Sequence, residues 1–335
     1  MTSQAGWGWP YGNPYEWMAR TRTGFGPVII TCALSGGVQG REANHHIPET
    51  PAEIAEQAHE AYVAGASVVH IHGRRLQNLG ECTLEAEVLA EINAMVRSRC
   101  PDIIINNTTG GGPTTVMEDR FETLLALPEE ASLNMGPDMS RFRIGARTSP
   151  LPHPHDEQEY DECLPFTYGL IERLAQAMLE RGIKPEMEIY HSGQFWVTRS
   201  LIEKELVHPP YLHQFVMGYQ TSAWPTFDSV LNLLRELPEP ESSVFSIAGI
   251  GPFQLPLTTL SIMLGGHVRV GLEDNVYYRH GERATGNGQL VERTARIARE
   301  LNREVASPDE AREILGLSST PSSYSGSLTA SAVEI

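Results

Sequence analysis

The strongest constraint on this chain is an alternation, sustained from residue 27 to residue 302, of short apolar runs with stretches of helical period. PVIITCA (27–33), SVVHIH (67–72), DIIIN (102–106), ASLN (131–134), EMEIY (186–190), a run at 213–217, VFSIAG (244–249) and HVRVG (267–271) read as strands. Helices are expected after Thr50, at 115–126, 166–182, 194–205, 226–236, 256–264 and 288–302. The first has the clearest signals: Thr50 as N-cap, Pro51 in the first turn, Glu53 completing a capping box and Gly65 as the stop. Strands that alternate with helices imply a parallel sheet with right-handed crossovers. About eight such units imply the α/β class and a single closed (β/α)8 (TIM) barrel, with its active site at the C-terminal ends of the strands. An open doubly wound sheet is the alternative. It needs a G-x-G-x-x-G fingerprint after the first strand, and ALSGGVQG (33–40) is not one.

The ends differ from this pattern. Residues 1–26 are rich in Gly, Pro and aromatics without a helical or strand period. Trp7, Trp9, Tyr11, Tyr15 and Trp17 argue against disorder, so an arm packed on the barrel or on a neighbouring subunit is expected. Residues 318–335 are Ser-rich and expected to be mobile. No apolar run approaches membrane-spanning length, and no basic-then-apolar leader opens the chain. Cys32, Cys82, Cys100 and Cys163 show no CxxC spacing, as expected for free thiols in a reducing cytoplasm. A formal net charge of −17 disfavours nucleic acid and anionic membranes as partners, though a local Arg cluster can still attract an anionic small molecule.

Placed on a barrel, the strand ends carry an unusual set of polar residues: Ser35 and Gln39, His70 and His72, Thr108 and Thr109, Ser132 and Asn134, Glu186 and Glu188, then Arg269, Glu273 and Asp274. Barrel interiors are normally apolar, and buried charges need partners or a metal. Residues i and i+2 share a face, so His70 and His72 point the same way, as do Arg269 and Glu273. His70, His72 and Glu273 then form a two-His, one-carboxylate set, a composition that suits catalytic zinc and also non-haem iron. Plainer readings remain open at this point. The histidines can bond loop carbonyls, Glu188 can serve a structural ion pair, and GLEDN (271–275) can be an exposed turn. The TTGGG loop can be merely flexible, although its glycines also let backbone N–H groups approach a carboxylate.

HIHGRR, NTTGGG, ASLNMG, PEMEIYHSG, AGIG and GGHVRVGLEDN, in that order, resemble the beta-keto acid cleavage enzymes over residues 27–317. The resemblance implies a zinc-dependent (β/α)8 barrel, usually a tetramer. It implies conversion of a β-keto acid and acetyl-CoA into acetoacetate and the CoA ester of the remaining acid. By the same resemblance His70, His72 and Glu273 hold Zn2+, Arg269 and Asp274 form the dyad that deprotonates the keto acid, Thr108 and Ser132 touch substrate, and Glu188 is an acid of the pocket. Thr109 and Gly110, in the same loop as Thr108, join them as expected substrate contacts.

Three departures from the family pattern bear on the substrate. Val38 stands where the aminohexanoate-cleaving members carry a glutamate facing the substrate's ammonium group. Gly73 and Arg75 replace a larger residue and an acid, and His191 replaces an acid before Ser192 and Gly193. Read together they remove negative charge from the pocket rim, which leaves a neutral or anionic keto acid. The stretch 137–165 looks long and is expected to form a lid or an interface. Two other functions compete: a metal-dependent hydrolase of the amidohydrolase type, which needs histidines on later strands, and a non-catalytic metal-binding barrel, which does not need Arg269 and Asp274.

Overall fold

The computed structural model describes residues 14–113 and 115–324. Eight parallel strands close a barrel in chain order: β1 (Ile30–Ala33), β2 (Val68–Ile71), β3 (Ile104–Asn107), β4 (Glu130–Asn134), β5 (Lys184–Ile189), β6 (Tyr211–Met217), β7 (Ser243–Gly249) and β8 (His267–Val270). Closure runs through β1, which pairs Thr31 with Arg269 of β8 and Ala33 with His70 of β2.

A helix follows each strand on the outside. Pro51–Ala64 starts with the expected capping box and stops at Gly65, which takes φ 114°. The helix expected at 115–126 is shorter: a 3-10 turn at Glu118–Phe121 and one α turn at Glu122–Leu125. Helix Ala86–Arg99 was not legible beforehand; its N-cap position is Glu85, which makes no capping hydrogen bond. Three hairpins were also not foreseen, and all sit at the strand C-termini: Gly73–Arg75 with Asn78–Thr83, Asp138–Ile144 with Gln158–Leu164, and Tyr277–Arg279 with Glu282–Arg283. Among the described residues, no helix is long and apolar enough to cross a membrane.

Apolar side chains fill the space between the strands and the helices, in one cluster around β4 to β7 and another around β1 to β3 and β8. The barrel's lower end is closed by Val68, Ile104, Leu212 and Val244, on which Ala311 and Leu315 of helix Pro308–Leu315 pack. Above that plug the lumen turns polar.

Part of the expected aperiodic arm is helical, at Pro14–Thr23; Trp17 meets Phe25, and Arg303 lies over the Phe25 ring. Trp7, Trp9 and Tyr11 fall outside the described residues. The first part of the expected mobile tail is tied to the barrel: Arg97 donates to Ser322 O at 3.0 Å and Ser322 N donates to Glu129 Oε1 at 3.0 Å.

Candidate active site

Strand β2 turns His70 and His72 into the upper lumen, with ring centroids 5.2 Å apart. His70 Nδ1 lies 2.9 Å from Asn106 Oδ1 and His72 Nδ1 lies 3.6 Å from Cys82 Sγ. The two Nε2 atoms face Glu273 Oε1, at 3.7 and 3.3 Å. Burial drives His70 down to about 3, so its ring is neutral. Burial also opposes charge on His72, but the Glu273 carboxylate overrides it and holds His72 up to about 9.

Glu273 reaches the histidines because β8 ends in a tight turn. Gly271 has φ 146°, and a Cβ there would lie 1.9 Å from Ala33 O, so no other residue fits. Asn275 N closes the turn on Gly271 O at 3.1 Å. The turn aims neighbouring acids at one guanidinium. Arg269 donates to Asp274 through Nε (3.0 Å) and Nη2 (2.9 Å), to Glu273 through Nη2 (2.5 Å) and to Glu188 through Nη1 (3.2 Å). GLEDN is therefore not an exposed turn, and Glu188 pairs with Arg269 inside the cavity. Burial pushes Glu188 up to about 8 against the pull of Arg269. It pushes Asp274 up to about 6, again opposed by Arg269. Burial acts on Glu273 too, but Arg269 and both histidines hold it well below the usual carboxylate range.

Among the described residues, His70, His72 and Glu273 are the group able to hold a metal ion, with ligand atoms within 4.8 Å of one another. Two observations show that a divalent cation fits. Glu273 Oε2 is buried without a hydrogen-bond partner. Three carboxyl groups crowd one guanidinium, and burial pushes Glu188 and Asp274 toward their neutral forms, so a dication between the histidines would favour the ionised state of the group. Only neutral histidine ligates, so the positive charge that Glu273 favours on His72 is the charge an ion would replace.

Above the group opens a cavity of about 1100 Å³. Thr108, Gly110, Glu188, His70, His72, Arg269, Glu273 and Asp274 all line it, as expected from their strand-end positions. The Thr108 hydroxyl accepts from Gly110 N at 2.9 Å, which leaves its own O–H free to donate into the cavity. The Gly110 N–H is thereby engaged, so the glycine loop's expected use as a free backbone donor does not extend to Gly110. Thr109 and Ser132 are not on the cavity wall. They bond each other, Thr109 N to Ser132 Oγ at 3.0 Å and Thr109 Oγ1 to Ser132 O at 2.7 Å, and so tie the loop after β3 to β4. Missed in the sequence were Phe142, Glu162 and Leu164, brought to the cavity by the 138–164 hairpin, and Tyr190 and Tyr219 beside them. The stretch expected to form a lid or an interface thus contributes part of the cavity wall. Arg147, in the loop that joins its two strands, is fully buried and bound to Glu49 by two 2.7 Å hydrogen bonds.

The sequence profile of the beta-keto acid cleavage enzymes matches residues 27–317. This chain belongs to that family. It is 36% identical over 290 residues to the 3-keto-5-aminohexanoate cleavage enzyme of Fusobacterium nucleatum, covering 87% of this chain and 98% of that one. It is 30% identical over 310 residues to the 3-dehydrocarnitine:acetyl-CoA trimethylamine transferase of Rhizobium meliloti, covering 87% and 96%. It is similar in fold to the apo structure of ObcA, with a TM-score of 0.64 at 19% identity over 81% of this chain and 66% of that one. As a beta-keto acid cleavage enzyme the chain is an acyltransferase.

Set against that family, only one of the noted departures touches the cavity. Val38 lines it. Gly73 is off the cavity wall and packs tightly against the first hairpin, where a Cβ would sit 3.1 Å from Thr83 O. Arg75 pairs with Glu81 at 3.6 Å outside the cavity, and His191 is exposed and off its wall. The expectation that all three departures strip charge from the pocket rim therefore narrows to Val38. The geometry also weakens the hydrolase alternative. The one histidine of β6, His213, points outward against Phe195, at 6.0 Å between ring centroids, and not into the lumen.

Proposed function

We propose that this beta-keto acid cleavage enzyme is zinc-dependent and converts a β-keto acid with a neutral or anionic side chain, plus acetyl-CoA, into acetoacetate and the matching acyl-CoA. The observation that carries this reading is the convergence of His70, His72 and Glu273 with Arg269 and Asp274 on one cavity. A Zn2+ ion held by the first three supplies Lewis-acid stabilisation of the negative charge that develops when the keto acid loses a proton between its two carbonyl groups.

Asp274 is the base that takes this proton, and Arg269 holds it in place from two sides. Thr108 donates its free hydroxyl hydrogen to the substrate carboxylate. Glu188 keeps Arg269 from swinging away. The carbanion forms a new C–C bond to the acetyl carbonyl of acetyl-CoA. CoA passes within the adduct from that carbon to the former keto carbon, the original C–C bond breaks to leave the acyl-CoA and the acetoacetate carbanion, and Asp274 returns its proton to that carbanion to give acetoacetate. The cavity is large enough for both reactants.

The substrate side chain lies along Val38 and the wall of Phe142, Leu164, Tyr190 and Tyr219. This apolar surface favours a neutral chain over a charged one. The same reading includes a barrel domain at 27–317 flanked by an arm and a tail, a cytoplasmic location and a homotetramer. Trp196, Trp224 and Phe227, all more than half exposed, supply apolar surface for such an assembly.

The test is acetoacetate release from a panel of β-keto acids, with and without acetyl-CoA, on zinc-loaded and chelator-treated enzyme. Acetyl-CoA-dependent release that needs the metal is expected. Acetoacetate formed without acetyl-CoA, or full activity after the metal is stripped, would refute the reading.

A further inference from the structure

Directly below the candidate metal site the barrel lumen holds a buried polar layer: Asn106 of β3, Glu130 of β4, Glu186 of β5, Gln214 of β6 and Ser246 of β7. Branched apolar side chains normally fill a barrel at this level, and a buried carboxyl costs stability unless its oxygens are satisfied. The bonds in this layer run in one direction. Asn106 Oδ1 faces His70 Nδ1 at 2.9 Å, and Asn106 Nδ2 faces Glu186 Oε2 at 2.9 Å and Glu130 Oε2 at 3.5 Å.

We propose that Asn106 and Glu186 act as one positioning unit that decides which ring nitrogen of His70 carries the proton; this rests on the metal reading above. An amide has two orientations of equal shape, so Asn106 alone cannot choose. A carboxylate can, because it only accepts. With Glu186 on one side, Asn106 must turn its NH2 toward that carboxylate and its carbonyl toward the imidazole. His70 must then carry its hydrogen on Nδ1, which leaves the Nε2 lone pair aimed at Glu273. Reverse the amide and the proton moves to Nε2, where it blocks a metal.

The rest of the layer keeps Glu186 in the accepting role. With its amide oriented to satisfy both ends, Gln214 donates to Glu186 Oε1 at 3.0 Å and accepts from Ala248 N at 2.9 Å. Both Glu186 oxygens therefore meet donors. Glu130 has a bare oxygen, Oε1, so it is the member of the acidic pair with a place for a proton. His72 has no comparable device, only the Cys82 thiol at 3.6 Å.

The experiment measures Zn2+ affinity of the full-length protein by competition with a chromophoric chelator. Glu186→Gln keeps the shape but lets the side chain present NH2 to Asn106. It should weaken Zn2+ binding by roughly 10–100-fold although all three candidate ligands remain. Asn106→Asp combined with Glu186→Gln moves the carboxylate next to the ring. It should return affinity to within a few-fold of wild type, since Asp accepts from Nδ1–H without help. Circular dichroism and melting curves establish that each variant is folded, and the double variant carries the test if Glu186→Gln alone does not fold. Wild-type affinity in Glu186→Gln, or no rescue by a folded double variant, overturns the proposal. His70→Ala separates this from the parent reading: if it binds Zn2+ like wild type, the metal site itself is wrong; if it loses Zn2+ while Glu186→Gln does not, only the positioning unit fails.

Discussion

Replacing Asp274 by Asn separates the chemistry from the metal. Asp274 receives two of the four hydrogen bonds that Arg269 gives, at 3.0 and 2.9 Å. Asn can accept one of these and turns an NH2 toward the other donor. Arg269 keeps Glu273 at 2.5 Å and Glu188 at 3.2 Å, so the guanidinium stays anchored. One carboxylate fewer around a single cation also relieves repulsion, so little stability should be lost. Turnover is another matter, because an amide cannot take a proton. Loss of a general base costs about 10²–10⁴ in rate, or roughly 3–5 kcal/mol of barrier. Metal content, measured by mass spectrometry on the same preparation, should stay near wild type. Glu273→Gln is the counterpart, since it removes the carboxylate that both histidines face and should lose metal and activity together. If Asp274→Asn sheds the ion while Glu273→Gln retains it, the two roles are exchanged. If both variants turn over like wild type, the proposed mechanism is wrong.

Val38→Glu should shift relative kcat/KM toward 3-keto-5-aminohexanoate, which is expected to be a poor substrate for the wild type; a wild type that prefers the amino compound contradicts the pocket assignment. Glu130 is pushed by burial from about 4.5 up to about 8, so the folded state holds a proton the unfolded chain releases, and stability falls as pH rises through that interval. Glu130→Gln removes this dependence, and its melting temperature relative to wild type should climb between pH 5 and pH 8 by the equivalent of roughly a few kcal/mol; a flat difference rules the buried proton out. Gly271→Ala forces a methyl against Ala33 O at a backbone angle that side chains rarely adopt. It should cost roughly 2–5 kcal/mol in urea unfolding, and a loss below about 1 kcal/mol would mean the turn can relax.

The barrel and the polar residues gathered at its mouth were legible because both are periodic. Alternation marks the strands, and parity within them puts His70 with His72 and Glu186 with Glu188 on the lumen side. The same parity pairs Asn106 with Thr108, a signal present in IINNTT that points to the layer below the histidines. What stayed hidden depends on neighbours distant in sequence. Asp138–Ile144 and Gln158–Leu164 pair across a connection that carries no short hairpin signature, so Phe142 and Leu164 gave no hint of lining the cavity. The Thr109–Ser132 bond was not foreseen, because a hydroxyl at a strand end looks the same whether it faces a cavity or the next strand.

The glycines around the site carry a consequence for how this enzyme can diverge. Gly37 and Gly271 touch backbone of a neighbouring loop and of β1 so closely that a methyl on either would overlap it, at 1.9 Å from Gly111 O and from Ala33 O. These segments are interlocked, and single substitutions there have almost no room to be neutral. The 138–164 hairpin is different. Its ladder is its own, and its connecting loop is anchored by Arg147 to Glu49, away from the reacting groups. Mutations on its inner face should be able to change which acyl chain is accepted without passing through a dead enzyme. Adaptive routes to new substrates should therefore run through the hairpin, and a saturation library scored for activity should show tolerance there and near-silence at the glycines.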